Sequence, residues 1–552
     1  MSTPVAATLA ERIAAVAARR SGTITFVGSD PSAAEALPWS QLHDDARAMA
    51  AALQRRGVQP GDHVALLGPT SRGLVTAIQA TWLAGATVVV LPLPMRLGSF
   101  EEFVGQTRAR VANADASLVV IDNDLAAFLE PDPADAPRVL LSELTGRGDD
   151  YVTPASDADR LAVVQFTSGS TSDPKGVMLT NRNILANLDG TIAAAHFDVD
   201  ADVVVSWLPL YHDMGLLGLL TIPMITGADM VLAGPQDFMS APARWVEWIS
   251  RYRGTCTAGP NFSYALSARA MRRLTGLDLS SWRIALNGAE PVDPATVEAF
   301  CQAGAAHGLN PGAAFPAFGM AEVTIAGTFP EPGRGLVTDV VDRRVLEADR
   351  YAAPSLEGPG TRALALLGRP VGDLQIRICD PQSGRPMGER EVGELQIRGT
   401  SVTSGYYKHP DATAAAFAGE WLKSGDLAYL VDGELVVCGR IKDVIIVGGR
   451  NVFPEDVERA AASVEGVRAG NVIAFGVAGR RGKEAVVVVA ETRAEDPQPI
   501  RKAVVARVLD AVGLPPEEVI LVPPGSLPKT SSGKLQRSLC RARYLESALT
   551  PV

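Results

Sequence analysis

Short apolar runs alternate with helix-length amphipathic patterns along most of this chain, and that alternation restricts its fold more than any other feature. HVALLG (His63–Gly68), a helical pattern through Leu74–Leu83 and then ATVVVLPL (Ala86–Leu93) form one such unit; SLVVID (Ser117–Asp122) and DVVVSWLPL (Asp202–Leu210) continue it. Apolar strands separated by helices belong to sheets covered on both faces, so the expected class is α/β with largely buried sheets. At 552 residues the chain exceeds what one core organises, and two or more domains are expected.

From about Gly368 the pattern changes. LQIRICD, GELQIRG and GELVVCGR are short alternating strands between turn residues, which predicts a β-rich subdomain over residues 367–440. After Arg440 the βα alternation resumes, with helices expected from Pro454 through Ser463 and from Pro499 to Val512. The expected division is a large N-terminal domain, residues 1–440, and a small mobile α+β domain, residues 441–552. Ile441-Lys442-Asp443 is short and charged, as a hinge would be. Thr328–Leu367, rich in proline, glycine and charge, reads as an irregular inserted surface segment.

A net charge of −11 argues against a general nucleic-acid or anionic-membrane binder, so any polyanionic ligand must meet a local basic site. The longest uncharged stretch, Ala80–Met95, holds Gly85, Pro92 and Pro94 and is too short to cross a bilayer. The first twenty residues read as an amphipathic helix carrying Glu11 and Arg12, a poor signal peptide. Five scattered cysteines without a CxxC pair, and six histidines without metal-ligand spacing, indicate neither a disulfide framework nor a zinc site. The expectation is a cytoplasmic protein without stable membrane insertion.

The chemistry concentrates first in VVQFTSGSTSDPKGVMLT, Val163–Thr180. A glycine-serine-threonine loop lets backbone N–H groups crowd an anion while hydroxyls and one ammonium add donors. A Walker loop needs lysine followed by Ser/Thr at the start of a helix, whereas Lys175 precedes Gly176 and a strand-like run, so a hairpin is expected. A plain surface loop is the competing reading. In SWLPLYHDMGLLG, Tyr211, His212 and Asp213 end an apolar strand before a Leu/Gly-rich helix; His212 either gates a pocket, binds a carboxylate or is satisfied by local backbone. NGAEPV (Asn287–Val292) and FPAFGMAEVT (Phe315–Thr324) offer a backbone turn with Glu290, an aromatic face at Phe318 and a hard oxygen ligand at Glu322. In KSGDLAYLVDGELVVCGRIKD, Asp426 in a Ser-Gly-Asp turn could accept from both hydroxyls of a ribose, with Arg440 on the next strand, while Asp432-Gly433 is a hairpin turn. PKTSSGKLQR places Lys534 on a glycine-serine loop near the C-terminus.

Taken in order, TSGST…PKG, YHDMG, GAEP, FGMAE, SGD, GRIKD and SGK resemble the adenylate-forming superfamily of acyl-CoA synthetases, peptide-synthetase adenylation domains and luciferases, over about Leu161–Arg537. WLPLYHDMGLLG, NGAEPV and the segment containing DRRVLEADRYAAP look most like the fatty acyl-AMP ligases. The resemblance implies an ATP- and Mg²⁺-dependent ligase that converts a hydrophobic carboxylic acid to acyl-AMP. The acyl group would then pass to the phosphopantetheine of an acyl carrier protein or, alternatively, to CoA. A non-catalytic nucleotide or acyl sensor is a minor alternative.

The resemblance also implies residue roles. Thr167, Ser168, Gly169, Ser170, Thr171 and Lys175 would hold the phosphates, and Gly288, Ala289, Glu290, Phe318, Gly319 and Met320 the adenine. Glu322 would bind Mg²⁺, Asp426 and Arg440 the ribose, Lys442 would be the hinge, and Lys534 would bridge the substrate carboxylate and the α-phosphate. Three positions depart from the pattern. Ala321 lacks a hydroxyl usual in YGxTE, for which Thr324 is the candidate replacement, and Ser424 stands where threonine is common. In GGRNVFPEDVE, Val452 stands near a position where the acyl-AMP ligases carry histidine, while Gly448-Gly449 suits the pantetheine channel of CoA-using enzymes. Pocket walls are expected around Trp207–Leu217 and Gly259–Phe262.

Overall fold

The structure is a computed structural model that describes residues 6–19, 22–93, 100–129, 132–133, 135–166, 175–447, 450–479, 484–530 and 533–552. Among them, two predominantly parallel sheets carry the large N-terminal part. The first runs Ala314–Pro316, Ile284–Asn287, Cys256–Gly259, Val203–Ser206, Asp229–Ala233, Thr23–Val27 and Glu35–Pro38, with only the last pair antiparallel. The second runs Arg138–Leu140, Ala116–Ile121, His63–Leu67, Thr87–Val90, Leu161–Phe166 and Gly176–Thr180. The strands His63–Leu67 and Thr87–Val90 are buried along their whole length, as a sheet covered on both faces requires. The helix Arg72–Leu83 between them starts where the Ser71 hydroxyl accepts from Leu74 N–H. The α/β expectation is met.

Three elements differ from what the sequence suggested. Thr328–Leu367 is not an irregular surface insertion. It holds an antiparallel pair, Thr338–Asp342 with Thr361–Ala365, joined through the helix Arg343–Asp349, and Val341, Leu346 and Glu347 are buried. Pro/Gly-rich turns hide these five-residue strands from any periodicity window. The Leu/Gly-rich helix after His212 is wound as a π-helix over Met214–Thr221 before Ile222–Thr226 becomes α-helical. There the backbone of Gly215 packs so closely that a Cβ would lie 2.2 Å from the Pro209 carbonyl oxygen. Asp426 lies not in a turn but inside the long strand Trp421–Val431. Pairing with Gly393–Arg398 shifts register there, and Gly425 takes φ +74, so Ser424-Gly425-Asp426 is a β-bulge that re-aims the aspartate. The expected β-rich region is otherwise present: Gln375–Cys379, Gly393–Arg398, Trp421–Val431 and Glu434–Arg440 form antiparallel neighbours, the last two joined by the Asp432-Gly433 turn.

The smaller C-terminal domain packs the helices Pro454–Ala462 and Gln498–Val512 on a sheet of Val467–Ala478, Glu484–Thr492 and Glu518–Val522. The strand Glu518–Val522 was not anticipated, nor was the strand Arg450–Val452 that pairs antiparallel with the expected Ile445–Val447 run. Buried ion pairs tie this part to the rest. Arg450 Nε donates to Glu347 Oε2 at 2.9 Å, Asn451 Nδ2 to the Glu347 carbonyl at 2.8 Å, and Arg362 pairs with Asp456 at 3.0 Å while its guanidinium lies over the Phe453 ring. No helix among the described residues is long and apolar enough to cross a membrane.

Candidate active site

The first sheet delivers most of the site. Its strands Val203–Ser206, Cys256–Gly259 and Ile284–Asn287 run parallel, so their carboxyl ends open on one side, the usual place for a ligand crevice in such sheets. From the first comes Pro209–Asp213, from the second Pro260-Asn261, and from the third Gly288–Pro291.

His212 and Lys534 meet there across 322 residues, with Lys534 Nζ 3.5 Å from His212 Nε2. The other imidazole nitrogen, Nδ1, lies 2.6 Å from Asp213 Oδ1, which also accepts from Met214 N–H at 2.7 Å and so fixes the ring. Burial would raise the Asp213 carboxyl, but His212, Lys534 and the Met214 N–H together hold it below its ordinary value. Burial pushes the Lys534 ammonium down, and Asp213 and Glu290 restore only part of that loss. No carboxylate among the described residues pairs directly with it. A half-buried cation without a counter-ion is an electrostatic demand for an anion. The loop under Lys534 is closed by Thr530, whose N–H donates to the Lys534 carbonyl at 2.8 Å and whose hydroxyl accepts from Lys534 N–H. Lys534 caps a narrow apolar pocket walled by Trp207, Leu208, Met214 and Pro260. Trp207 is stacked on Phe238 at 3.9 Å.

The GAEP turn is held by Asn261, inside the Gly259–Phe262 stretch expected as pocket wall but given no role of its own. Asn261 Oδ1 accepts from Asn287 Nδ2 at 3.0 Å and from Asp293 N–H at 3.1 Å, its Nδ2 donates to the Pro291 carbonyl, and its N–H donates to Glu290 Oε1 at 2.8 Å. Only its place directly after a strand-ending Gly-Pro could have flagged it. Glu290 is therefore spent on the turn, and burial raises its carboxyl. Ala289, at φ +70, turns backbone toward the crevice next to Gly288. Phe318 is half-buried with its ring against Gly327, where a Cβ would lie 2.7 Å from Cδ1. Gly319 and Met320 follow it and are also half-buried.

Glu322 is a half-buried carboxylate whose Oε1 accepts the Tyr406 hydroxyl at 2.9 Å. Burial pushes it above the usual carboxylate range, and Tyr406 offsets this only in part. Lys175 lies over the same Tyr406 ring, Nζ 5.2 Å from its centre. Tyr406, eighty-four residues from Glu322, thus joins two predicted site residues and was itself unpredicted. Thr324 does not replace the hydroxyl missing at Ala321: it is fully buried and donates to the Ser401 carbonyl at 2.9 Å. Asp426 and Arg440 are cross-strand partners, with Arg440 Nε 3.2 Å from Asp426 Oδ1. Burial raises the Asp426 carboxyl and Arg440 draws it partly back. Lys442 lies in a single 3₁₀ turn, Ile441–Asp443, between the two parts of the chain. Asp443 is gripped at 2.6 Å by Arg537, three residues beyond Lys534, which also holds Glu458.

The strands Leu161–Phe166 and Gly176–Thr180 pair antiparallel, as the hairpin reading required. The loop between them, with Thr167, Ser168, Gly169, Ser170 and Thr171, lies outside the described residues, as do Gly448 and Gly449.

Comparison with known proteins follows the same lines. The family model described as AMP-binding enzyme matches residues 13–407, and one described as Disco-interacting protein 2-like, AMP domain, matches residues 442–551. Rv1013 of Mycobacterium tuberculosis is 40% identical over 94% of this chain and 96% of its own length. The medium-chain-fatty-acid–[acyl-carrier-protein] ligase JamA of Moorena producens is 32% identical over 95% of this chain and 92% of its own. A solved structure from a study of fatty acyl-adenylate ligases of E. coli and L. pneumophila superposes with TM-score 0.90 and 31% identity, covering 98% of both chains.

Proposed function

As the chain belongs to the AMP-binding enzyme family of adenylate-forming ligases, we propose that it condenses a hydrophobic carboxylic acid with ATP to give acyl-AMP and pyrophosphate. The acyl group then passes to the phosphopantetheine thiol of an acyl carrier protein. The observation that carries the first step is the convergence of Lys534 with His212 at the mouth of an apolar pocket, beside the Gly288–Pro291 turn. A carboxylate is a poor electrophile, and its attack on the α-phosphorus of ATP installs AMP as a leaving group. In-line attack accumulates negative charge between the two reactants. Lys534 would meet a carboxylate oxygen and an α-phosphoryl oxygen together, a role supported by its burial with only partial compensation from Asp213 and Glu290. His212, held by Asp213, orients the acid at the pocket mouth. Phe318 presents a face for the adenine, and Asp426, on its bulge, accepts from the ribose with Arg440 beside it. Lys175 and the loop preceding it take the phosphates.

Glu322 fits a Mg²⁺ site of the kind completed by substrate phosphates. It is one half-buried carboxylate with its charged form disfavoured, and no group of three or more His, Cys, Asp or Glu capable of holding a metal occurs among the described residues. Bound there, the ion would supply charge to the leaving pyrophosphate. Because burial keeps Glu322 protonated to a higher pH than an ordinary glutamate, adenylation will fail on acidification above the usual carboxylate range. Raising Mg²⁺ will move that acid limb to lower pH, since metal and proton compete. In Glu322→Gln the limb loses its Mg²⁺ dependence; a limb indifferent to Mg²⁺ in the parent protein would remove Glu322 from this role.

The Asn261 bonds give a second test. Asn261→Ala leaves the donors of Asn287 and Asp293 unmet, a loss of about 1–3 kcal/mol in the turn under the adenine. The KM for ATP should rise roughly tenfold or more with kcat for the bound complex less affected. An unchanged KM would detach this turn from nucleotide binding.

The similarity to JamA supports a carrier protein as acceptor, and the equal similarity to a Mycobacterium tuberculosis protein described as a fatty-acid–CoA ligase supports CoA as the alternative. A panel of carboxylic acids with ATP, run in parallel with CoA and with a phosphopantetheinylated carrier, tests the acceptor. Thioester on the carrier alone is the expected result; equal or faster acyl-CoA formation would overturn it.

A further inference from the structure

Well away from Lys534, the helices Leu9–Arg19 and Trp39–Arg55 and the extended segment 151–156 enclose a second cavity of about 280 Å³. It shares no lining residue with the pocket beside Trp207. Its polar wall carries two guanidinium groups. His43 and Arg47 stand one helical turn apart, on the same face, and Arg160 joins them, donating to the Ala155 carbonyl at 3.1 Å and lying 3.8 Å from Asp157. His43 is only 8% exposed, and its Nδ1 takes the Gln79 side-chain amide at 2.8 Å. Its other ring nitrogen has no hydrogen-bond partner among the described residues. Burial and the Arg47 charge hold the imidazole below its ordinary pKa. With Nδ1 engaged by Gln79, Nε2 is the ring nitrogen left for a ligand, in a side chain more than nine-tenths buried. Arg47 is scarcely engaged: its guanidinium lies 5.7 Å from the Tyr151 ring centre, and its hydrogen bond to the Gly148 carbonyl is a weak 3.4 Å. The one carboxylate in the lining, Glu11, accepts the N–H groups of Ala7 and Thr8 at 2.7 and 3.2 Å.

The remaining walls are apolar faces. Trp82 Nε1 is committed to the Ala162 carbonyl and the Tyr151 hydroxyl to the Leu83 carbonyl, so both rings present carbon to the cavity. Guanidinium and imidazole groups over an apolar floor select a ligand with an anionic head and a compact apolar body. The volume lies at the lower end for small-molecule sites, roughly 300 Å³ upward, which disfavours a nucleotide or a long acyl chain.

We propose that this cavity is a second binding site, distinct from the adenylation site, for a small monocarboxylate whose carboxylate is held by His43, Arg47 and Arg160 and whose apolar body packs on Trp82. Leu161 and Asn181, at the base of the hairpin whose tip precedes Lys175, also line it, so an occupant braces that hairpin from its far end.

The test uses the full chain and 4-bromobenzoate. Anomalous diffraction from soaked crystals should place bromine between Arg47 and Trp82. Calorimetric titration should show binding that persists when an acyl-sulfamoyl adenosine fills the adenylation site, weakens roughly tenfold or more in Arg47→Met through loss of a charge-assisted contact, and disappears in the cavity-filling Ala14→Phe. Bromine confined to the pocket beside Trp207, binding abolished by the analogue, binding indifferent to both variants, or no binding at millimolar probe would each overturn the proposal. Should a variant fold poorly, the parent crystals and the competition titration decide alone. Neither result bears on acid-dependent pyrophosphate release, which tests the proposed function separately.

Discussion

Replacing Lys534 by alanine will lower acyl-adenylate formation by roughly 10²–10³-fold, about 3–4 kcal/mol, the usual size of one preorganised contact to transition-state charge. The expectation rests on where the ammonium is and how it is kept there. Its Nζ stands 3.5 Å from His212 Nε2, its loop is closed on Thr530, and Arg537 three residues on is anchored to Asp443 and Glu458. Little of this is local to Lys534, so truncating the side chain removes charge without dismantling the loop. Acid-dependent pyrophosphate exchange measures the loss. Transfer of pre-formed acyl-AMP to a phosphopantetheine thiol should change far less, since that step needs the leaving group already in place. If exchange survives at the parent rate, the residue that neutralises the α-phosphate is another one.

The second large effect concerns the passage between half-reactions. Lys442 occupies a one-turn 3₁₀ segment, and proline fits the first turn of a helix while fixing φ. Lys442→Pro should therefore keep the orientation seen here and leave adenylation within a fewfold of the parent. Acyl transfer, which requires residues 441–552 to rotate, should drop on the order of a hundredfold. The ion pairs crossing the junction define what must break in that rotation: Glu347 with Arg450, Arg362 with Asp456, and Asp293 with Arg459 at 3.3 Å. The first two bury their carboxylates almost completely, so the closed arrangement is held by contacts that lose their partners together. Single-turnover measurements of the two steps separate the outcomes. Equal loss of both would refute Lys442 as the pivot.

Much of this architecture was legible from residues alone, and the exceptions share a cause. Fully apolar runs such as Val64–Leu67 and Val88–Val90 announce buried parallel strands because nothing else tolerates them, and Lys175-Gly176 excluded a Walker loop in favour of the hairpin found. The contacts that organise the site are a different matter. Asn261 earns its place through four bonds to residues 26 to 32 positions away, and Tyr406 through a bond to Glu322 across eighty-four. No spacing rule reaches that far. The bulge at Gly425 read as a turn because glycine with positive φ signals both, and only the partner strand's register distinguishes them. The helix Arg343–Asp349 was misread for a related reason: Leu346 is buried against Tyr429 and Val436 and Glu347 by Arg450, roughly eighty to a hundred residues downstream, while its own composition is that of a solvated segment.

The account depends on chemistry at the α-phosphorus, and the phosphorus products of ATP report it directly. With ATP, Mg²⁺ and a medium-chain fatty acid, and with no thiol acceptor present, ³¹P NMR of the reaction should show pyrophosphate together with acyl-AMP, appearing only when the acid is added. Release of ADP and orthophosphate, or ATP breakdown indifferent to the acid across a panel of chain lengths, would contradict it.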